Sequence, residues 1–108
     1  LFPNYSKLIN AEKPDDNKVI TGSTILSLYG LRDCKDIDFI YLNDAPADSH
    51  NQYIGTTYKL TVDDIVNNPL YYLHYNGFKY VSLDVIKYMK IIRNEPKDIT
   101  DVQLINNL

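Results

Sequence analysis

The chain has 108 residues and a formal net charge of −3, and 44% of its residues are hydrophobic, which is typical of one folded domain and excludes a disordered chain. No apolar run approaches the ~20 residues of a membrane span, and the negative charge gives no general attraction to nucleic acid. The single cysteine excludes an internal disulfide, so we expect a reducing compartment and a cytoplasmic location.

The chain opens with a polar lead-in that is followed by a strand and a short helix. Residues 1–17 lack a regular apolar pattern and predict irregular structure, with a short helix near Tyr5–Asn10. Lys18–Thr21 predicts a strand, and Ser23 is placed to cap a helix that runs to about Tyr29. Three residues of this helix are expected to face inward: Ile25, Leu28 and Tyr29.

An alternating segment follows, and it carries two acidic residues. The alternation over Asp36–Leu42 predicts a strand on which Asp36 and Asp38 point to the same face. Residues 43–52 form a polar loop, and a further strand is expected within Tyr53–Leu60.

The second half predicts a short helix, a hairpin and two longer helices. Thr61 opens a capping pattern, and Asn76-Gly77 between aromatic-rich segments predicts a hairpin with a type I′ turn. Ser82 caps a helix that runs to about Arg93, and Asp98 is expected to cap a last helix. Inward-facing residues are predicted at Val85, Met89 and Ile92, and the last helix carries Val102 and Ile105. A solvated face is predicted for Lys90, Arg93 and Lys97. These elements predict one α+β domain with helices packed on a small mixed sheet.

The pair Asp36 and Asp38 needs an explanation beyond folding, because two like charges this close repel each other. Carboxylates two residues apart on a strand lie about 6–7 Å apart and could share a pair of divalent cations. Upstream, Gly22-Ser23 lies at a strand-to-helix junction, where free backbone N–H groups favour a phosphate. The two motifs together predict a site for a metal and a phosphate.

The combined pattern resembles the polymerase-β-like nucleotidyltransferase superfamily in its minimal single-domain form. The motif "VITGS" is followed by twelve residues and then by "DIDFIYL". The turn "GLRDCKDID" is similar to the Arg-x-Thr-Lys-Asp-apolar-Asp version of small bacterial members, with Cys34 where Thr is common. The tail "VSLDVIKYMKIIRNEPKDITDVQLI" also resembles the end of such domains. The close match covers residues 19–42 and a looser one covers 78–105, which is about half of the chain.

The resemblance implies a nucleotidyltransferase-like fold and Mg²⁺-dependent (or Mn²⁺-dependent) transfer of a nucleoside monophosphate from an NTP. The acceptor would be a small molecule, a sugar phosphate, a protein side chain or an RNA end. The implied metal ligands and catalytic residues are Asp36 and Asp38. The implied nucleotide-binding residues are Gly22, Ser23, Arg32 and Lys35, of which the last two are also explained as surface charges. The third carboxylate of the family is not fixed by the pattern, and the nearest candidates for this position are Asp48 and His50.

Two other functions remain open at the sequence level. In one, the domain has lost the third carboxylate and binds a nucleotide, a sugar phosphate or a partner domain. In the other, the chain is a subunit of a toxin–antitoxin-like pair and needs a helical partner. The first residue is Leu1 rather than Met, which is consistent with a fragment or one domain of a longer protein.

Overall fold

The computed structural model describes residues 2–108, so Leu1 lies outside it. In chain order the elements are α1 (Pro3–Asn10), β1 (Lys18–Thr21), α2 (Thr24–Leu28), β2 (Asp38–Tyr41), a 3₁₀ helix (His50–Tyr53), α3 (Val62–Asn67), β3 (Tyr72–Tyr75), β4 (Phe78–Val81), α4 (Leu83–Arg93) and α5 (Pro96–Asn106).

The four strands form one mixed sheet in the order β2-β1-β4-β3. The central pair β1 and β4 is parallel, whereas β2 and β3 lie antiparallel to their neighbours at the two edges. The radius of gyration is 12.9 Å, as expected for a compact chain of about this length. The predicted α+β class, with a mixed sheet and packed helices, is therefore confirmed.

The core is built around β1, which has a paired strand on each side. Val19 and Ile20 of β1 are 0% and 1% exposed. Full burial of one such side chain stabilises the fold by about 1.5–3 kcal/mol. Apolar residues from α2, β2, α3, β4 and α4 complete this core: Ile25, Leu26, Ile40, Ile65, Val66, Val81, Ile86 and Met89.

The register of β1 against β2 sets the geometry of the acidic motif. Thr21, the last residue of β1, pairs with Asp38, the first residue of β2. Because the two strands are antiparallel, Gly22 leaves the sheet at the end where Asp38 enters it. Residues 16 positions apart in sequence thus become neighbours in space.

The predicted hairpin and two of the predicted helix starts are confirmed. Asn76 and Gly77 have φ angles of 50° and 85°, the positive values that a type I′ turn requires. The Thr61 hydroxyl accepts from the Asp64 amide in a capping box at the start of α3. The Ser82 hydroxyl caps α4 through the Val85 amide.

Two predictions about strands were wrong. The predicted strand within Tyr53–Leu60 is replaced by the end of the 3₁₀ helix and a single bridge between Ile54 and Tyr58. The Tyr53 carbonyl accepts from three successive amides, including that of Tyr58, so the chain folds back on itself and no extended ladder forms. The strand predicted from Asp36 begins only at Asp38.

Three predictions about helices also need correction. Ser23 precedes α2, but its side chain caps no amide, because its backbone is already helical with φ −66° and ψ −16°. Tyr29 is 39% exposed and does not face inward. The last helix starts at Pro96 with Glu95 as its cap, three residues before the predicted cap at Asp98. None of the helices in residues 2–108 has the length and apolar character that a membrane span requires.

Candidate functional site

The site begins where the backbone of Gly22 meets the side chain of Asp38. Gly22 has a φ of +69°, and a Cβ built on it would lie 2.6 Å from Asp38 Oδ2. Any side chain at this position would collide with the carboxylate and would also strain the backbone. Glycine at position 22 is therefore required for Asp38 to take its place at the end of the sheet.

A polar cavity of about 230 Å³ opens beside this contact, and we call it the carboxylate cavity. Six of the eight predicted site residues line it: Gly22, Ser23, Asp36, Asp38, Asp48 and His50. The other two, Arg32 and Lys35, line an adjoining cavity that shares Ser23, Asp36 and Asp38 with the first. The fold therefore brings all the predicted site residues to one end of the sheet.

Asp36 and Asp38 differ in backbone setting, contrary to the prediction that one strand holds both. Asp38 is the first residue of β2, and its side chain is 37% exposed. Asp36 lies in the bend before the strand and is exposed. Both line the carboxylate cavity, so the two carboxylates share one solvent-accessible space although only one of them is fixed by the sheet.

A chain of buried polar groups supports Asp38 from behind. His50 Nε2 lies 3.4 Å from Asp38 Oδ2, and His50 Nδ1 lies 2.8 Å from the Tyr58 hydroxyl. The Tyr58 hydroxyl in turn lies 2.6 Å from the Thr21 hydroxyl. His50 is only 6% exposed, so the surrounding fold encloses the ring beside the carboxylate.

The hydrogen bonds of this chain run through the Tyr58 hydroxyl. Burial raises the pKa of Tyr58, so its hydroxyl keeps its proton and donates to His50 Nδ1. The hydrogen of the ring is then on Nε2, which lies at ion-pair distance from Asp38 Oδ2 without forming a hydrogen bond, while the Thr21 hydroxyl donates to Tyr58. The opposite tautomer would face a lone pair toward the carboxylate. His50 therefore acts here as an orienting partner of Asp38.

Asp48 is the third carboxylate of the cavity. It is exposed and lines two cavities together with Asp36 and Asp38. Within residues 2–108, however, no three His, Cys, Asp or Glu side chains lie close enough to hold one metal ion by themselves. A metal ion in this cavity would therefore need phosphate or water oxygens in its coordination shell.

Arg32 and Lys35 have different surroundings, although the sequence pattern treats them alike. The Arg32 guanidinium makes a bidentate contact with Asp101 and donates to Ser23 Oγ. The hydrogen bond and charge of Asp101 raise the pKa of Arg32. Lys35 is exposed and lines the adjoining cavity.

An ionic cluster at the junction of α4 and α5 was missed by the sequence analysis. Lys90 Nζ lies 2.9 Å from Asp101 Oδ2 and 3.6 Å from Asp98 Oδ1. Arg93 donates twice to Asp98, at 2.9 and 2.8 Å. The Lys90 side chain is fully buried, so the prediction of a solvated face was wrong for this residue. We call this group, with Arg32, the α4–α5 ionic cluster.

The two carboxylates of this cluster are held in the charged form. Burial alone would raise the pKa of Asp98, but hydrogen bonds from Arg93 and from the Glu95 amide outweigh it and lower the pKa. Burial opposes ionisation of Asp101 as well, and Arg32 and Lys90 overcome it. The sequence does contain a signal for this cluster. Two cations three residues apart, Lys90 and Arg93, are followed on the next helix by two acids with the same spacing, Asp98 and Asp101.

A more apolar cavity lies elsewhere, between α4 and the segment around Leu60. Leu70, Tyr71 and Tyr88 line it, and Asp84 is the one acidic residue among the residues that line it. Leu70 and Tyr88 are 78% and 55% exposed. This cavity lacks paired carboxylates and a glycine packed against one of them, so we do not assign the metal and phosphate site to it.

Comparisons of this chain with protein-family models, with curated proteins and with solved structures found no match.

Proposed function

We propose that this protein is a Mg²⁺-dependent nucleotidyltransferase that moves a nucleoside monophosphate from an NTP to an acceptor. The observation that carries the proposal is the contact between Gly22 and Asp38, beside Ser23 and Asp36 in one polar cavity. A glycine with positive φ, packed against a carboxylate and followed by a hydroxyl, lets a phosphate and a metal ion approach the same backbone. Folding alone does not require this combination at the end of a sheet.

The residues present fit a magnesium ion in the presence of a nucleotide. Magnesium prefers oxygen ligands and is usually bound by one or two carboxylates together with waters and substrate phosphates. Asp36 and Asp38 supply two such carboxylates in a cavity with direct access to solvent. When bound, the ion would offset the negative charge of the phosphate oxygens.

The side chains of this protein would have separate roles in binding the nucleotide. Ser23 donates to a phosphate oxygen, and the bare backbone of Gly22 allows close approach. Arg93 and Lys97 line the same cavity, and Lys97 offsets the charge of the triphosphate, because Arg93 is already paired with Asp98. His50 holds Asp38 in orientation through Nε2.

In the proposed reaction an acceptor hydroxyl attacks the α-phosphorus, the bond to the β-phosphate oxygen breaks, and pyrophosphate leaves with the electron pair. Asp48 is the carboxylate we assign to take the hydroxyl proton, because it lines the cavity with Asp36 and Asp38. The acceptor class stays open among small molecules, sugar phosphates, proteins and RNA ends. The proposal includes a cytoplasmic location, which agrees with an unpaired and buried Cys34.

The test compares the parent with the double variant Asp36→Asn/Asp38→Asn in millimolar Mg²⁺ and a nonhydrolysable NTP. The proposal expects the melting temperature of the parent to rise, because a ligand that binds only the folded state stabilises it by mass action. The double variant should fold normally and lose this rise. Nucleotide transfer is then followed with α-labelled NTPs and a panel of acceptors, with Asp48→Asn as the variant that binds NTP but does not transfer it.

Two outcomes would count against the proposal. If parent and double variant show no response to metal and nucleotide, the site is not a nucleotide site, and the partner-binding reading is favoured. If the parent binds NTP and no acceptor is ever labelled, the domain is a nucleotide-binding module without transferase activity.

A further inference from the structure

We infer that Arg32 is a positioning residue, which Asp101 of α5 holds in place so that it orients the Ser23 hydroxyl toward phosphate. This role differs from the direct phosphate contact that the sequence motif implies for Arg32. The inference rests on the proposed function, because it assigns a phosphate oxygen as the partner of Ser23.

Four of the five N–H donors of Arg32 are already committed to protein acceptors. Nε and Nη2 donate to the two oxygens of Asp101 at 2.7 and 2.8 Å. Nη1 donates to the Asp33 carbonyl at 2.9 Å, and Nη2 also donates to Ser23 Oγ at 2.7 Å. One Nη1 hydrogen is left over. A phosphate that took more than this hydrogen from Arg32 would have to break a bidentate ion pair, which is the strongest type of contact the guanidinium makes.

The contact with Arg32 also fixes what the Ser23 hydroxyl can do. A serine hydroxyl has one hydrogen to donate and two lone pairs that accept. Arg32 occupies a lone pair, so the hydroxyl hydrogen points away from the guanidinium. Within residues 2–108 the Ser23 side chain has no other hydrogen-bond partner. Because Ser23 lines the carboxylate cavity, its hydrogen remains available to a phosphate oxygen there.

Asp101 makes this orientation rigid. Its side chain is only 2% exposed, and Lys90 donates to its Oδ2 at 2.9 Å. The carboxylate therefore has partners on two sides and cannot follow a displaced guanidinium. A residue 69 positions from Arg32 in sequence thus determines where the Ser23 hydroxyl points.

The test is a double-mutant cycle on nucleotide binding. Titration calorimetry gives the Kd of the nonhydrolysable analogues of ATP, GTP, CTP and UTP with millimolar Mg²⁺, and the tightest of the four is used throughout. Ser23→Ala should weaken binding about tenfold, as expected for the loss of one hydrogen bond to a charged group. Arg32→Gln and Arg32→Lys should each weaken nucleotide binding by a similar factor. Neither a glutamine amide nor a lysine ammonium can hold Asp101 bidentately and Ser23 at the same time. In the Ser23→Ala background neither Arg32 variant should weaken binding further.

The control is Lys35→Gln, which removes a cation that lines the adjoining cavity. Its effect on Kd should be the same with and without Ser23→Ala. Melting curves without nucleotide select the Arg32 variant that keeps its fold. Lys90 also pairs with Asp101 in the parent, so this carboxylate should keep one cationic partner in both variants.

The inference is overturned if Arg32→Lys binds the nucleotide like the parent, since Arg32 would then act through its charge alone. It is also overturned if the Arg32 and Ser23 effects multiply. In both of these cases the parent still binds NTP and the proposed function stands. A parent that binds none of the four analogues removes the proposed function and this inference together.

Discussion

The carboxylates of α5 and those beside β2 are surrounded in opposite ways. Asp98 and Asp101 are almost completely buried, and each contacts two cationic side chains. Asp36 and Asp38 face solvent in a shared cavity, and the partner of Asp38 is a histidine rather than a lysine or arginine. The acids of α5 thus have their counter-charges within the fold, whereas the acids of the cavity depend on groups from outside. Acidic residues of the first kind stabilise the structure, and those of the second kind are candidates for ligand binding.

The largest expected effect comes from removing a carboxylate of the α4–α5 ionic cluster. Asp98→Asn should lower the free energy of unfolding by about 3 kcal/mol, because it leaves a buried cation without its partner. Urea unfolding measures the change. Asp84→Asn, which removes an exposed acid in the first turn of α4, is the matched control and should cost at most about 1 kcal/mol. Equal losses in the two variants would mean that burial of the ion pairs is unimportant.

Acidification should weaken the same ion pairs more gradually. The folded pKa values of Asp98 and Asp101 lie below 3.8, the ordinary value that applies in the unfolded chain. Just below that pH the unfolded chain binds more protons than the folded chain. The stabilisation by the ion pairs of Asp98 and Asp101 is therefore fully present above about pH 4 and is lost as the pH falls through the folded pKa values. Melting temperatures of the parent should therefore fall steeply in acid, and those of Asp98→Asn less steeply. Parallel curves would contradict this assignment.

A smaller effect on stability, but a larger one on binding, is expected at Gly22. Alanine in a left-handed conformation costs about 1–2 kcal/mol, so Gly30→Ala should lower stability by this amount, and Gly22→Ala should lower it by at least as much. A Cβ at position 30 meets no atom within 4 Å, whereas one at position 22 would displace Asp38. Only Gly22→Ala should lose the thermal response to Mg²⁺ and NTP. Loss of this response in both variants would show that backbone strain, and not displacement of Asp38, is responsible.

The smallest effect is expected for the acids of the cavity in the absence of ligands. Asp36→Asn/Asp38→Asn should change the free energy of unfolding by no more than about 0.5 kcal/mol, with a slight gain favoured because mutual repulsion is removed. Urea unfolding without metal or nucleotide measures it. A loss as large as that of Asp98→Asn would make these residues structural and would end the comparison between the two regions.

Much of the candidate site could be predicted because its motifs are short. Gly22, Ser23, Asp36 and Asp38 were assigned from a spacing of residues along one segment, and the structure places them around one cavity. The prediction of a strand within Tyr53–Leu60 was wrong because several amides donate to the Tyr53 carbonyl instead of to a neighbouring strand. The periodicity of the sequence does not show this competition. The prediction of a solvated Lys90 was wrong for a similar reason, because the sequence does not show that Asp98 and Asp101 lie beside this lysine in the fold.

The sequence by itself determined the features that depend on a few adjacent residues. The Asn76-Gly77 turn follows from two residues that tolerate positive φ, and the Thr61 capping box follows from groups three positions apart. Tertiary structure alone decided the contacts of His50 with Asp38 and of Arg32 with Asp101. These contacts depend on how the sheet, the 3₁₀ helix and α5 pack against each other. Local periodicity indicates which face of an element is apolar. It does not indicate which polar side chains of distant elements will contact each other.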